Sequence, residues 1–129
     1  GRVGQDQLAR EFLSAGFLLY PSDFCEVSCI SAMEAQAAGV AIIASELAAL
    51  TETVSDRGHL IPGFPRNYTY QKMFLGTVFA LMENEALRRE QVQKGLDYAP
   101  NFSWDMVVDD FVTWGEGKLA AKAIIEVGR

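Results

Sequence analysis

The sequence is poor in basic residues and in cysteine. Its 129 residues contain 11 lysines and arginines against 17 aspartates and glutamates, which gives a formal net charge of −6. Nucleic-acid-binding proteins need lysine and arginine to neutralise phosphates, so this balance, without a basic stripe, argues against a nucleic-acid partner. The two cysteines, Cys25 and Cys29, are too few for a disulfide framework, which favours a reducing compartment such as the cytoplasm.

Long apolar runs and low-complexity segments are also missing. No apolar run approaches the roughly 20 residues that span a bilayer, and the start, GRVGQDQLAR, is unlike a signal peptide. Hydrophobic residues still make up 50% of the chain, as in ordinary globular proteins. A chain of this length supports one core and not two domains, so we expect residues 1–129 to form a single domain. Because the first residue is glycine, we expect that domain to be part of a longer protein.

Three short apolar runs predict the strands of a parallel sheet. The strand-like runs are 17–20, 40–44 and 59–61, and the segments with helical spacing are 5–14, 28–38 and 50–54. Strands that are apolar on both faces and alternate with helices are typical of a parallel sheet that helices cover on both sides. Residues 1–63 are therefore predicted to form a βαβαβ-type α/β layer with right-handed crossovers.

Residues 64–129 carry helical patterns alone. One apolar stripe with spacings of three and four residues covers residues 70–81. A further helix is predicted to begin at Trp104, with Trp104 and Trp114 on the side that faces the core. The Gly-Glu-Gly sequence at 115–117 is predicted to end it, and residues 118–127 are predicted to form the last helix.

The segment 21–39 joins the first predicted strand to the helix that follows it. In open parallel sheets, ligands bind beyond the carboxyl ends of the strands, where this segment lies. At the start of the helix, the backbone amides of Val27, Ser28, Cys29 and Ile30 are expected to be unpaired and to carry the positive end of the helix dipole. A phosphate or diphosphate is the ligand that such a helix start favours.

Two glutamates flank this helix start. Glu26 precedes the helix, and Glu34 follows eight residues later within the small and apolar sequence SAMEAQAAG. Carboxylates accept hydrogen bonds from vicinal hydroxyls, which the sugar and ribose of a nucleotide sugar supply. The spacing alone is a weak signal, because two solvated glutamates often fall eight residues apart by chance. The apolar surroundings of Glu34 favour a binding role over a solvated one.

The motif YPS, then Glu26, seven residues and Glu34, resembles the nucleotide-binding motif of retaining glycosyltransferases with the GT-B fold. This large family (group 1, family 4-like) includes sucrose synthases, bacterial mannosyltransferases and glycogen synthases. The resemblance continues in order through residues 39–45, 52–54, 58–62, 87–89 and 101–104. It implies a Rossmann-like sheet with flanking helices, in which this chain is the second half of the donor-binding C-terminal domain and residues 64–129 are its helical part.

The same resemblance implies a role for each candidate residue. Glu34 would bind the ribose hydroxyls, Glu26 would act as the catalytic residue that contacts the donor sugar, and the amides of residues 27–30 would hold the distal phosphate. A sugar would pass from a nucleotide-diphosphate sugar to an acceptor hydroxyl with retention of configuration, in carbohydrate biosynthesis. No cofactor or divalent metal is expected, because the helix dipole and basic side chains stabilise the departing diphosphate.

The chain departs from the family pattern at several positions. Cys29 stands where the family usually has a glycine that permits close approach, so the predicted sugar site is narrower. Ala48 and Ala49 replace a usual Gly-Gly pair. The strands that carry the diphosphate-clamping arginine and lysine, and the acceptor-binding N-terminal domain, are not in this sequence. We therefore expect the isolated chain to be inactive and its exposed sheet edge to favour self-association.

Other readings of the same residues stay open. A GT-B relative, such as a nucleotide-sugar epimerase or a phosphorylase, would use the same donor-binding half. A non-catalytic Rossmann-like assembly module would need neither glutamate. A zinc site at Cys25 and Cys29 lacks further ligands, because the single histidine, His59, lies far along the chain. We therefore expect no metal site. We also expect a cytoplasmic location, and peripheral association of the full-length protein with a membrane stays open.

Overall fold

The computed structural model describes residues 2–127, with the side chains of residues 2–118. Strands and helices alternate in its first part as the apolar runs predict. In chain order the elements are α1 (Gln5–Ser14), β1 (Phe17–Tyr20), α2 (Ile30–Ala37), β2 (Ala41–Ser45), α3 (Leu50–Thr53), a 3-10 turn (Ser55–Arg57), β3 (His59–Ile61), α4 (Tyr68–Glu83), α5 (Glu85–Tyr98), a second 3-10 turn (Ala99–Phe102) and α6 (Trp104–Val127).

The three strands form one parallel sheet in the order β1-β2-β3. Phe17 of β1 is in register with Ala41 of β2, and Ile43 of β2 is in register with His59 of β3. All five residues of the central strand β2 are buried. The predicted α/β class with a Rossmann-like parallel sheet and flanking helices is confirmed.

Helices cover both faces of this sheet. Successive residues of a strand point to opposite faces, so Ile42 and Ala44 of β2 pack with the residues of α2 and α3, whereas Ile43 packs with the stripe of α4. That stripe buries Tyr70 and the two other core residues of α4, Phe74 and Leu81. Because both faces are covered, the strands have no polar face, and this is why they are recognisable as continuous apolar runs.

Two buried glutamines complete hydrogen bonds that the short strands and helices leave open. Gln91 of α5 accepts from the Ile42 amide at 3.2 Å and donates to the Ile42 carbonyl at 3.3 Å. Strand β3 begins opposite Ile43 and therefore does not pair with Ile42. On that side of β2 the Gln91 side chain provides the hydrogen-bond partners of the Ile42 backbone. Gln36 of α2 donates to the carbonyls of Ala32 and Thr53. These contacts satisfy polar groups whose burial without a partner would cost stability.

Two predictions for the C-terminal part are wrong. The helix does not end at 115–117, because α6 continues from Trp104 to Val127; each glycine weakens a helix interior by only about 1 kcal/mol, and helix-forming residues surround them. Trp104 and Trp114 are 82% and 60% exposed and are not core residues. The chain divides into two compact units between Ala99 and Pro100, and the second consists of a short turn and one long helix, too little to build a core.

The turn before α3 holds an alanine in the left-handed backbone region. Ala48 has a φ of +47°, a conformation that costs a residue with a Cβ roughly 1–2 kcal/mol. Its side chain is exposed, so its removal loses no packing. We expect Ala48→Gly to raise the free energy of unfolding by about 0.5–1 kcal/mol in urea titrations, after the greater entropy of unfolded glycine is subtracted.

Ala49 provides the matched control for this substitution. Its φ of −61° is helical, so Ala49→Gly relieves no strain and is expected to lower the free energy of unfolding by about 0.5–1 kcal/mol. Equal losses of stability in both variants would show that position 48 is not strained.

Candidate functional site

Glu26 lies in the loop that follows β1, at the carboxyl end of the sheet. The Tyr20 hydroxyl, on the last residue of β1, donates a hydrogen bond to Glu26 Oε1. The backbone carbonyl of Glu26 accepts from the Ala49 amide at 3.3 Å, which connects this loop to the start of α3. The carboxylate is half-buried. Glu26 therefore stands at the strand end where open parallel sheets bind ligands, with its side chain and its backbone both anchored.

Cys29 lies beneath this carboxylate. Its side chain is buried, and its carbonyl accepts from the amides of Ala32 and Met33 at 3.1 and 3.2 Å, so it begins the first turn of α2. Burial raises the pKa of the Cys29 thiol, and the neighbouring Glu26 carboxylate adds to the rise. The thiol is therefore protonated at neutral pH, which suits a packing residue and not a nucleophile or metal ligand.

The predicted anion site lies at the start of α2. The helix begins at Ile30, two residues later than predicted, so Val27 and Ser28 belong to the preceding loop. Val27 is fully exposed and Ile30 is 66% exposed. In the part of the chain that the structure describes, the amides of residues 27–30 have no backbone acceptor. Val27, Ser28 and Ile30 are thus exposed residues with unpaired amides, as a bound phosphate requires, whereas Cys29 is buried.

Glu34 lies apart from Glu26, in a groove that the Glu26 side chain does not line. It is half-buried on α2 and lines a groove of about 260 Å³ between α1 and α2. The other residues that line this groove are largely apolar: Gln5, Leu8, Ala9, Phe12, Leu13, Ala37 and Ala38. Glu26 is not among them. The structure brings Glu26, Tyr20 and Cys29 together and places Glu34 in the adjoining groove with apolar walls.

A second cavity at the carboxyl edge of the sheet was not predicted from the sequence. It has a volume of about 190 Å³, and the loops after all three strands line it, including Asp23, Glu46 and Phe64. Arg66 lies 3.8 Å from Asp23, with both side chains exposed. The two carboxylates, Asp23 and Glu46, make this cavity poorly suited to a phosphate.

Three further observations concern metals and membranes. Within the described residues, no three histidine, cysteine, aspartate or glutamate side chains cluster in a way that could hold a metal ion. Burial lowers the pKa of His59, so its imidazole is neutral at physiological pH. Among residues 2–127, no helix combines the length and the apolarity that crossing a bilayer requires.

Comparison with known proteins identifies similar glycosyltransferases. No protein-family model matches the chain. Phosphatidyl-myo-inositol mannosyltransferases from two strains of Mycobacterium tuberculosis and from Mycobacterium bovis are each 29% identical to it over 129 residues, which cover 98% of this chain and 34% of each relative. The chain thus spans about a third of the length of these relatives. Over nearly its whole length it is similar to part of a mannosyltransferase, which supports a glycosyltransferase fragment.

Proposed function

We propose that this chain is the donor-binding part of a retaining GT-B glycosyltransferase that uses a nucleotide-diphosphate sugar. The observation that carries the proposal is the collinear similarity to mannosyltransferases over 98% of the chain. The geometry supports it, because Glu26 and the unpaired amides at the start of α2 lie at the carboxyl edge of a parallel sheet. Ligands bind at that edge in open α/β folds.

In the proposed site, each group acts on a different portion of the donor. The amides of residues 27–30 and the dipole of α2 bind the distal phosphate and stabilise the charge that grows on the leaving diphosphate. Glu34 accepts hydrogen bonds from the ribose hydroxyls, with the nucleoside against the apolar groove between α1 and α2. Glu26 accepts from hydroxyls of the transferred sugar.

Retention follows from the geometry of the proposed transfer. The acceptor hydroxyl attacks the anomeric carbon on the face from which the diphosphate departs, and an oxygen of the leaving phosphate takes the acceptor proton. The bond from the sugar to the diphosphate breaks as the bond to the acceptor forms. Glu26 stabilises the positive charge of the sugar in the transition state and is not required as a nucleophile.

The acceptor belongs to the part of the protein outside this chain. The mannosyltransferase relatives are about three times as long as the aligned region, and we propose that an N-terminal domain binds a sugar or another hydroxyl compound as acceptor. The enzyme is proposed to be cytoplasmic and to need no metal. If the acceptor is lipid-linked, peripheral contact with a membrane follows.

Experiments on the isolated chain test whether donor binding and acceptor binding belong to different parts of the protein. We expect the 129 residues to bind a nucleoside diphosphate in isothermal titrations but to transfer no labelled sugar from a nucleotide sugar. The reason is that orientation of the acceptor supplies about 7–11 kcal/mol of the barrier reduction in two-substrate reactions. Turnover by the isolated chain would contradict this expectation.

Binding measurements on the full-length protein separate the alternative functions. If UDP, GDP and ADP all fail to bind, the non-catalytic assembly module is favoured. Epimerisation or phosphorolysis by the full-length protein, without transfer to an added acceptor, would favour a related enzyme with the same donor-binding half.

A further inference from the structure

We propose that Tyr20 is a positioning residue that holds the Glu26 carboxylate in its working orientation. The inference rests on the proposed function, in which Glu26 contacts the donor sugar. It gives a role to Tyr20, which the sequence placed at the end of a strand and at the start of the YPS motif without assigning it a function. The observation behind it is the hydrogen bond from the Tyr20 hydroxyl to Glu26 Oε1.

Tyr20 is itself a fixed support. It ends β1, where it is in register with the buried Ala44 of β2. Its ring is partly buried against the core cluster that contains Cys29, Ala44 and Leu50. A tyrosine has only two side-chain torsions, so a ring packed against the core holds its hydroxyl in one place. The position of that hydroxyl is therefore set by the sheet and not by the loop.

Glu26 depends on such a support because it lies in a loop. Its backbone is connected to α3 through the Ala49 amide, but a glutamate side chain has three torsions and several accessible rotamers. The hydroxyl of Tyr20 donates to Oε1, and the Cys29 thiol is a second neighbour of the same carboxylate. A carboxylate offers about four lone-pair sites on its two oxygens, so these contacts restrict the rotamer and still leave sites for a hydroxyl of the sugar.

The raised pKa of Tyr20 is consistent with a hydroxyl that remains a hydrogen-bond donor. The hydrogen bond to Glu26 raises the pKa of the Tyr20 hydroxyl, and burial adds to the rise. The hydroxyl therefore keeps its proton throughout the neutral and moderately alkaline range. Burial and the Glu26 carboxylate raise the pKa of the Cys29 thiol, so this neighbour of the carboxylate is neutral as well.

The kinetic test uses Tyr20→Phe in the full-length protein, with Tyr70→Phe as a matched control. The Tyr70 hydroxyl pairs with Ser45 Oγ at 2.8 Å and belongs to the opposite core cluster. We expect Tyr20→Phe to lower kcat about 10-fold while KM for the donor changes less than about 2-fold. Tyr70→Phe should lower the melting temperature and leave kcat unchanged. If Tyr20→Phe leaves kcat unchanged, the proposal is overturned.

A double-mutant cycle separates positioning from a general structural effect. In a Glu26→Ala background the Tyr20 hydroxyl has no carboxylate to hold, so Tyr20→Phe should change kcat by less than about 2-fold. An equal fall in kcat in both backgrounds would show that Tyr20 acts on the fold as a whole, and it would overturn the proposal.

A spectroscopic readout distinguishes failure of this inference from failure of the proposed function. In the 129-residue chain with 13C-labelled tyrosine, Tyr20 should keep its proton to a higher pH than an ordinary tyrosine, because the Glu26 carboxylate raises its pKa. Its titration should shift to lower pH in Glu26→Ala. If no such shift occurs, the hydrogen bond and the positioning role are both refuted. If the shift occurs but the full-length protein transfers no sugar, the proposed function is refuted. The hydrogen bond from Tyr20 to Glu26 then exists but has no role in sugar transfer.

Discussion

Replacement of Glu34 by alanine in the full-length protein is expected to weaken the binding of nucleoside diphosphate by about 10- to 100-fold and to change kcat little. In the proposed site, the carboxylate accepts hydrogen bonds from the ribose, which does not change during the reaction. The contact is therefore equally strong in the ground state and in the transition state, and its loss raises Kd and KM without slowing the chemical step.

Replacement of Glu26 by alanine is expected to have the opposite profile. The sugar that Glu26 contacts changes its charge and its ring shape as the bond to the diphosphate breaks, so the contact is strongest in the transition state. Glu26→Ala should lower kcat about 100-fold, raise KM much less, and leave the binding of the nucleoside diphosphate product nearly normal. The loss is larger than that expected for Tyr20→Phe, because the whole carboxylate is removed.

Isothermal titration and steady-state kinetics on both variants decide between these roles. Glu85→Ala is a suitable control, because Glu85 is exposed and pairs with Arg89 on the surface of α5. Equal loss of nucleotide binding in both variants, or no loss in either, would mean that the roles of Glu26 and Glu34 are wrongly assigned. Their separation in the structure, with Glu34 in the groove between α1 and α2, favours distinct effects.

Sequence patterns predicted the elements whose residues have a uniform or regularly repeating environment, buried or exposed. The runs 17–20 and 59–61 coincide with β1 and β3, and 5–14 coincides with α1. The predicted helical segment 28–38 is followed directly by Gly39, whose φ of +72° is the left-handed conformation in which a glycine commonly ends a helix. In each case a local rule, apolar runs or a glycine at a helix end, agrees with the packing that the sheet imposes.

The elements that were missed depend on contacts between distant segments. Nothing in the local sequence of Gln91 shows that its amide completes the hydrogen bonds of Ile42, 49 residues away. The hydrogen bond from Tyr20 to Glu26 was missed for a related reason, since it requires the loop after β1 to fold back over the strand end. A tyrosine at the end of an apolar strand was the available signal, because a hydroxyl that is partly buried there needs a partner.

The close packing beneath the sheet makes Gly58, just before β3, a sensitive position. A Cβ there would lie 2.4 Å from Val54 Cγ1, 3.1 Å from the Ile42 carbonyl oxygen and 3.2 Å from Ile42 Cβ. Val54 and Ile42 are completely buried, and Ile42 is in the central strand, so neither has room to move. We expect Gly58→Ala to lower the free energy of unfolding by about 2–3 kcal/mol, as overpacked cores do. The backbone conformation is not the reason, because the φ of Gly58 is −153°.

Gly76 is the control position, since Gly76→Ala should change the free energy of unfolding in the opposite direction. It lies within α4, and a Cβ at this position would meet no atom within 4 Å. Gly76→Ala is therefore expected to raise the free energy of unfolding by about 0.5–1 kcal/mol, because alanine loses less backbone entropy in a helix. Urea unfolding of the two variants measures both effects. If Gly58→Ala were as stable as the original chain, α3 and the turn after it would have to move away from β2 at little cost, and the close contact with Val54 would not constrain the fold.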